Sequence, residues 1–309
     1  MKCLVPWMLA AATLSAQQPA VPYLDLSKPV RILETPQAWE GDQQPHTLSV
    51  VELNRGGFKY WGYYALNHGR GTGLARSNDL VHWTKYEGNP LLTNARWTTA
   101  LVGIDPKHPR RVYMAITRDY ETTQSHIALY YTDDGVHLKE SRILVPKGVA
   151  PINRNQNPNL FRDPVSKLLG LVYYRGNDEN HFEVVLKQAA RIEDLDKAPE
   201  AVLLRDTETV AAPSLLYVKP VQGKGIYYLS TEIYPGRYDN PPKGEWQVKV
   251  FASENLRGPY TPTAGNPVQG GERACLFQHI FKGRFYGFQS CLDTTTEKWF
   301  MEVIQAPLP

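Results

Sequence analysis

The sequence predicts an all-β chain closed into a five-bladed β-propeller, and three observations carry the prediction. A pattern of strand, turn, Tyr-rich strand and third strand recurs about every fifty residues. The composition favours strands and turns: 18 Tyr, 7 Trp and 9 Phe stand beside 23 Gly and 24 Pro. No helical periodicity is sustained beyond about two turns. A blade of four strands takes roughly 40 to 50 residues, so the chain has length for five. A sandwich or jelly roll is the alternative for short, evenly spaced strands.

The elements follow in order. Residues 1–16 read as a secretory signal, with Lys2 at the start, an apolar run from Cys3 to Leu14, and small Ser15 and Ala16 before Gln17. That run is too short to span a bilayer, which takes about 20 apolar residues. The expectation is a secreted or periplasmic protein whose residues 17–309 form one domain, with no membrane partner. The first repeat is 46–53, a Gly56-Gly57 turn, 60–66 and 73–76. The second is 100–104, a turn at 106–109, 112–117 and 127–131. The third is 159–161, an Asp163-Pro164 turn, 168–174 and 182–187. The fourth is 214–218, 225–230 and 246–252, and the fifth is 274–281, 283–290 and 299–304. The third strands end alike: Ser77-Asn78-Asp79, Thr132-Asp133-Asp134 and Ser253-Glu254-Asn255 supply polar turns before Trp83, Leu138 and Tyr260, where an outer strand starts.

A formal charge of +3 with no basic run excludes nucleic acid as a natural partner, and no protein partner is evident. Loss of the signal removes Cys3 and leaves Cys275 and Cys291. An oxidising compartment permits their pairing. A tight turn at Lys282-Gly283 places Cys275 opposite Ser290 instead, so strand register decides.

Two segments resemble a known family. Gly73-Leu74-Ala75-Arg76-Ser77-Asn78-Asp79-Leu80-Val81-His82-Trp83, closing at Asn89-Pro90, is similar to a blade ending of five-bladed glycosidases. Phe251-Ala252-Ser253-Glu254-Asn255-Leu256-Arg257-Gly258-Pro259-Tyr260 resembles a segment of the arabinanase- and xylosidase-like enzymes of glycoside hydrolase family 43. Ala212-Pro213-Ser214, followed by 225–230, resembles another of their blades. The resemblance implies three carboxylates at the starts of innermost strands. Asp42 fills the first of these positions, while Asn157 and Ala211 stand where the other two carboxylates are implied.

Propeller geometry supplies further candidates, because the end of a blade's second strand lies beside the start of its first. Both then face one mouth of a central funnel, where a ligand fits. Hydrolysis of a glycoside takes one carboxyl group to protonate the leaving oxygen and another to activate water. Glu232, leaving a Tyr-rich strand, is the expected acid and Asp42 the expected base, with Asp119 and Glu272 as substitutes. Trp39, His46, His68, Arg118, Asn157, Arg175, Asp178 and Arg273 are the expected substrate contacts. The arginines carry a second role, pairing with their sequence neighbours Asp119, Asp178 and Glu272. Trp61 has the alternative of packing between blades. His46, His68 and His279 have no metal-binding spacing, so no metal or other cofactor is expected. Two functions fit: a secreted glycoside hydrolase acting on a poly- or oligosaccharide, or a carbohydrate-binding propeller without hydrolysis.

Overall fold

The computed structural model describes residues 28–66, 68–120, 125–148, 154–176, 182–206, 209–221, 223–234, 246–266 and 272–308. The expected signal segment and Asp178 lie outside the described residues. Strand β1 (Val30–Ile32) comes first. Blade one is β2 (Pro45–Arg55), β3 (Phe58–Leu66), β4 (Gly71–Ser77), β5 (Trp83–Lys85) and the short β6 (Leu92–Thr93) beside β4. Blade two is β7 (Ala95–Val102), β8 (Val112–Arg118), β9 (His126–Thr132) and β10 (Lys139–Val145). Blade three is β11 (Arg154–Arg162), β12 (Leu169–Gly176), β13 (Phe182–Ala189) and β14 (Glu200–Asp206). Blade four is β15 (Thr209–Val218), β16 (Ile226–Tyr234), β17 (Gln247–Ser253) and β18 (Thr261–Pro262). Blade five is β19 (Arg273–Phe281), β20 (Arg284–Asp293) and β21 (Lys298–Pro307), completed by β1, which pairs Ile32 with Met301 and Val30 with Val303. The first strand of the chain thus closes the ring on the last blade. Among the described residues no helix is long and apolar enough to cross a membrane.

The five expected blades are present, with one systematic difference. The inner strands of blades two, three and four begin at Ala95, Arg154 and Thr209, earlier than the expected 100, 159 and 214. Each is interrupted near its start by a bulge, between Arg96 and Thr98, Gln156 and Asn159, and Ala211 and Ser214. Two of these bulges hold Pro158 and Pro213. A bulge breaks the two-residue alternation and tolerates a proline, so the sequence pattern stops there while the strand continues.

The apolar cores lie between blades. Val51, Tyr63 and Leu74 pack on Met114, Ile116 and Tyr130 at the first seam. Tyr113, Ile127 and Leu129 meet Leu171, Tyr173 and Val185 at the second. Tyr174, Val184 and Leu186 meet Tyr227, Leu229 and Phe251 at the third, and Tyr228 and Val250 meet Phe285 and Ile304 at the fourth. Trp61 takes its packing role here: it is buried, and the tip of its ring covers Gly135 of the next blade so closely that a Cβ there would lie 2.4 Å from it.

A polar staple recurs beside these cores. The Ala100 amide donates to Ser49 Oγ (2.9 Å), Leu160 to Thr99 Oγ1 (3.0 Å), Leu215 to Asn159 Oδ1 (3.0 Å) and Gln278 to Ser214 Oγ (3.0 Å). Each bond ties an inner strand to the next one around the ring. At the corresponding place in blade five stands Phe277, whose ring has no polar atom. The seam between blades five and one is instead closed by Phe277 with Leu48, Val50 and Tyr60, and by Ile32 of β1 and Leu33 just after it.

The echoing strand ends fold alike. In blade one Ser77 Oγ accepts from the Leu80 amide, while Asp79 Oδ1 accepts from Val81 and His82. In blade two Thr132 Oγ1 accepts from Gly135, and Asp134 Oδ1 from Val136 and His137. Burial raises both Asp carboxyls, but contact with the His82 and His137 rings (2.6 Å each), with these amide bonds, holds them well below their usual range.

The staples generate a stability prediction. Thr99→Val keeps the shape but strands the buried Leu160 amide without an acceptor, which costs about 1–3 kcal/mol. Urea unfolding should show that loss, and an unchanged midpoint would refute the role given to Thr99.

Candidate functional site

The bulges build the site. Four inner strands carry a non-glycine residue in the left-handed region at this point: Trp97 (φ 54°), Asn157 (φ 53°), Ala212 (φ 44°) and Cys275 (φ 55°). In blade one His46 interrupts the register between Pro45 and Thr47. Such backbone is costly, on the order of 1–3 kcal/mol per residue, and in folded proteins it concentrates at functional sites. Here it aims side chains from several blades at the floor of the funnel. His46 lies edge-on to Trp97 of blade two (ring centroids 5.4 Å apart) and to Trp299 of blade five (4.9 Å). Its Nε2 is 3.1 Å from Cys275 Sγ.

Glu232 joins them from β16. Its register partner in β15 is Ala211, so the two side chains leave the same face of the sheet, and the small methyl leaves the space to the carboxyl group. Where the family resemblance implies a carboxylate on the inner strand, this chain brings one from the neighbouring strand. Cys275 Sγ donates to Glu232 Oε2 at 2.8 Å. Glu232 is only 4% exposed, and burial raises its carboxyl to about 7, against a smaller lowering by the Cys275 thiol and the Arg96 guanidinium. The same burial holds the Cys275 thiol well above its ordinary range and His46 well below its own, so both are neutral near pH 7.

Arg96 is the cation that acts on all three of these groups. It is buried and stacks over Tyr120, 3.9 Å from the ring centre, and over Trp97 at 4.8 Å. Among the described residues, Arg96 Nε, Trp97 Nε1 and His46 Nδ1, and both Nδ2 and Oδ1 of Asn157 in the blade-three bulge, are buried without a hydrogen-bond partner. Buried polar groups are nearly always satisfied. Their concentration on one floor makes it suited to a ligand rich in donors and acceptors.

The other expected residues occupy different places. Asp42 lies ahead of β2 with its side chain 90% exposed, 3.5 Å from Arg70. Asp119 is held by Lys147 (2.9 Å) and by Asn94, and the Lys147 bond lowers its carboxyl. Glu272 lies just ahead of β19, and its carboxylate accepts from the Trp246 amide. Trp39 packs on Tyr64 beside the buried pair of Glu40 and Lys85, which lie 2.8 Å apart. His68 is exposed, near enough to His46 to act on its charge.

The arginines pair across strands. Arg118 donates to Tyr130, Arg175 to Glu183 and Glu200, and Arg273 to Glu302. Successive side chains leave opposite faces of a strand, so the partner comes from another strand of the sheet: the next one for Tyr130 and Glu183, the one beyond it for Glu200 and Glu302. Cys275 and Cys291 are both free. Cys291 faces Arg273 and Ser290 faces Ala274, so Cys275, expected opposite Ser290, falls one residue further on, in the bulge between Ala274 and Phe277.

Arg96, Trp97, Trp299 and the binding side of Cys275 were not among the expected site residues. Their signal was positional: each lies at or beside the start of a blade's inner strand or follows from the third strand beside it, and the late strand starts hid it. The histidine spacing showed no metal motif, but the fold brings one mixed donor set together. His46, Glu232 and Cys275 offer nitrogen, oxygen and sulfur donors within 4.8 Å of one another. They come from three strands far apart in the chain, so no sequence spacing announces them.

No protein-family model matches the sequence, and no curated protein matches it. Solved structures do. A thermostable family-43 glycoside hydrolase superposes with a TM-score of 0.64 at 13% identity, covering 86% of this chain and 90% of its own. An exo-1,5-α-L-arabinanase from a bovine ruminal metagenomic library gives 0.59 at 15% identity, covering 87% and 95%. A β-fructofuranosidase of Schwanniomyces occidentalis, complexed with fructosyl-erythritol, gives 0.61 at 12% identity; the match covers 91% of this chain but 63% of that one. These likenesses establish a shared five-bladed fold.

The site makes a prediction that needs no substrate. Below about pH 4.5 Glu232 is protonated in both folded and unfolded chains. Between there and about pH 7 only the unfolded chain ionises, so folding stability should fall as pH rises, by roughly 3 kcal/mol in all. Unfolding curves of metal-free protein at pH 5 and pH 8 should show the loss in the native chain and not in Glu232→Gln. Equal slopes would remove Glu232 from the buried floor.

Proposed function

We propose that this chain is a glycoside hydrolase working at the floor of the funnel, with Glu232 as its general acid. The observation that carries the reading is one buried carboxyl group set among unpartnered polar atoms of Arg96, Trp97 and Asn157. A carboxylic acid kept protonated near neutrality can give its proton to a leaving oxygen. Unpartnered polar atoms of Arg96, Trp97 and Asn157 can hold sugar hydroxyls, and the half-buried Trp246 and Trp299 rings offer apolar faces to a sugar ring. The fold neighbours support the class of reaction. A 1,5-linked arabinan uses O5 in its linkage, so its rings are five-membered, as the name fructofuranosidase also specifies. Furanosides are therefore the substrate class to which this reading leads.

The water-activating carboxylate belongs to the rim. Asp42 at the entry to blade one and Glu272 at the entry to blade five are the two candidates, Asp42 being the one implied by the family resemblance. The leader-like residues 1–16 fit an enzyme that meets its glycan outside the cell.

A second reading, a carbohydrate-binding propeller without hydrolysis, is favoured by one observation. Asn157 and Ala211 occupy positions where the resemblance implies carboxylates, and the bulge residues touch a single one, Glu232.

Turnover of aryl arabinofuranosides and of fructofuranosides decides between them. Glu232→Gln should lower kcat by about 10²–10⁴-fold, and the native rate should fall as pH rises through about 7, where the acid loses its proton. Asp42→Asn and Glu272→Gln, assayed alongside, identify the base as the variant with a comparable loss. Glycan binding with no turnover by the native chain would establish the second reading.

A further inference from the structure

We propose that His46, Cys275 and Glu232 form a binding site for one thiophilic divalent cation, Zn²⁺, and that the bound cation occupies the carboxyl oxygen that the acid would use. The second half rests on the hydrolase reading above; the first does not.

The donor set points to this class of ion. An imidazole nitrogen, a thiol sulfur and a carboxylate oxygen suit Zn²⁺, whereas Ca²⁺ and Mg²⁺ take oxygen ligands. His46 Nε2 and Glu232 Oε2 lie 3.1 and 2.8 Å from Cys275 Sγ. Around tetrahedral zinc the corresponding separations are about 3.5 Å, from metal–ligand distances of about 2.0–2.3 Å. A spreading of roughly half an ångström therefore admits the ion, within what side-chain rotation supplies. The ligands sit on β2, β16 and β19 of three blades, His46 and Cys275 at the register shifts of their strands, and Trp97 and Trp299 hold the His46 ring edge-on. With three protein ligands, the fourth tetrahedral position is left for water or substrate, as in zinc sites that stay open.

Charge balance removes the objection raised by Arg96. With the thiol and the carboxylic acid both protonated, the group carries only the guanidinium charge. Binding proceeds as Zn²⁺ + Cys–SH + Glu–COOH giving the zinc-bound thiolate and carboxylate and two released protons. The net charge beside Arg96 is unchanged, so the guanidinium opposes the bound ion no more than it opposes the protonated state. His46 is a neutral ligand and contributes no proton. The bound form holds no proton on Glu232, and the acid is silent until the metal leaves.

The test uses the full chain, freed of metal with a chelator and titrated with Co²⁺ as the spectroscopic probe. The expected result is one equivalent bound, a sulfur-to-cobalt charge-transfer band, and visible bands of tetrahedral intensity, all displaced by Zn²⁺. Cys275→Ser should abolish the charge-transfer band, and His46→Gln should weaken binding by at least about a hundredfold, more than loss of an outer partner costs; circular dichroism checks that both variants are folded. Absence of the band in the native chain, or its persistence in Cys275→Ser, overturns the site. Zn²⁺ should reduce furanoside turnover of the native chain at one equivalent, and a chelator should restore it; full turnover with the site loaded overturns the silencing. A native chain that shows the band yet hydrolyses nothing when metal-free supports the metal site and refutes the hydrolase reading.

Discussion

The structure depends on the inner strands being tied to one another in sequence around the axis. Ser49, Thr99, Asn159 and Ser214 each accept the amide of the residue that opens the next contact, and each bond is buried. A sheet can tilt or slide against its neighbour on an apolar seam, because hydrophobic contact has little directionality. A hydrogen bond to a fixed amide sets the height of one strand against the next. Four such bonds hold five blades in register, and the fifth seam, where Phe277 stands, is set by the pairing of β1 with β21 and by the apolar cluster around it. The ring is closed by chemistry at one seam that differs from the other four.

With the strands held at a common height, their bulges fall at a common depth. That is why His46, Trp97, Asn157, Ala212 and Cys275, scattered over most of the chain, meet on one floor. The backbone strain and the unpartnered polar atoms there are both unfavourable to folding. They are tolerated because the five seams bury aromatic and aliphatic side chains nearly completely, among them Tyr63, Tyr173, Tyr174, Phe277 and Phe288. Stability resides between the blades, which leaves the axial end of the ring free for polar chemistry.

The floor is also where proton chemistry is concentrated. A carboxyl group, a thiol and an imidazole share one dry contact, with one guanidinium beside them, and their ordinary acidities are all displaced by the same burial. Glu232 reaches this contact because Ala211 opposite it is small. An inner-strand carboxylate and a second-strand carboxylate can thus serve one position in space, and reading only the inner strand would miss it.

The repeats, the turns and the class of architecture were legible in the amino-acid sequence, because a blade is a local object. Alternation along strands, the Gly56-Gly57 turn and the matching Ser77–Asp79 and Thr132–Asp134 ends need only neighbouring residues to act. The place of Glu232 toward the end of an apolar strand was legible for the same reason. Four things were decided only by tertiary structure. They are the early starts of the inner strands, the cross-strand partners of Arg118, Arg175 and Arg273, the free state of Cys275, and the gathering of His46, Arg96 and Cys275 around Glu232. Bulges break the alternation from which strands are read, and ring closure brings together residues whose separation in the chain carries no record of their distance in space.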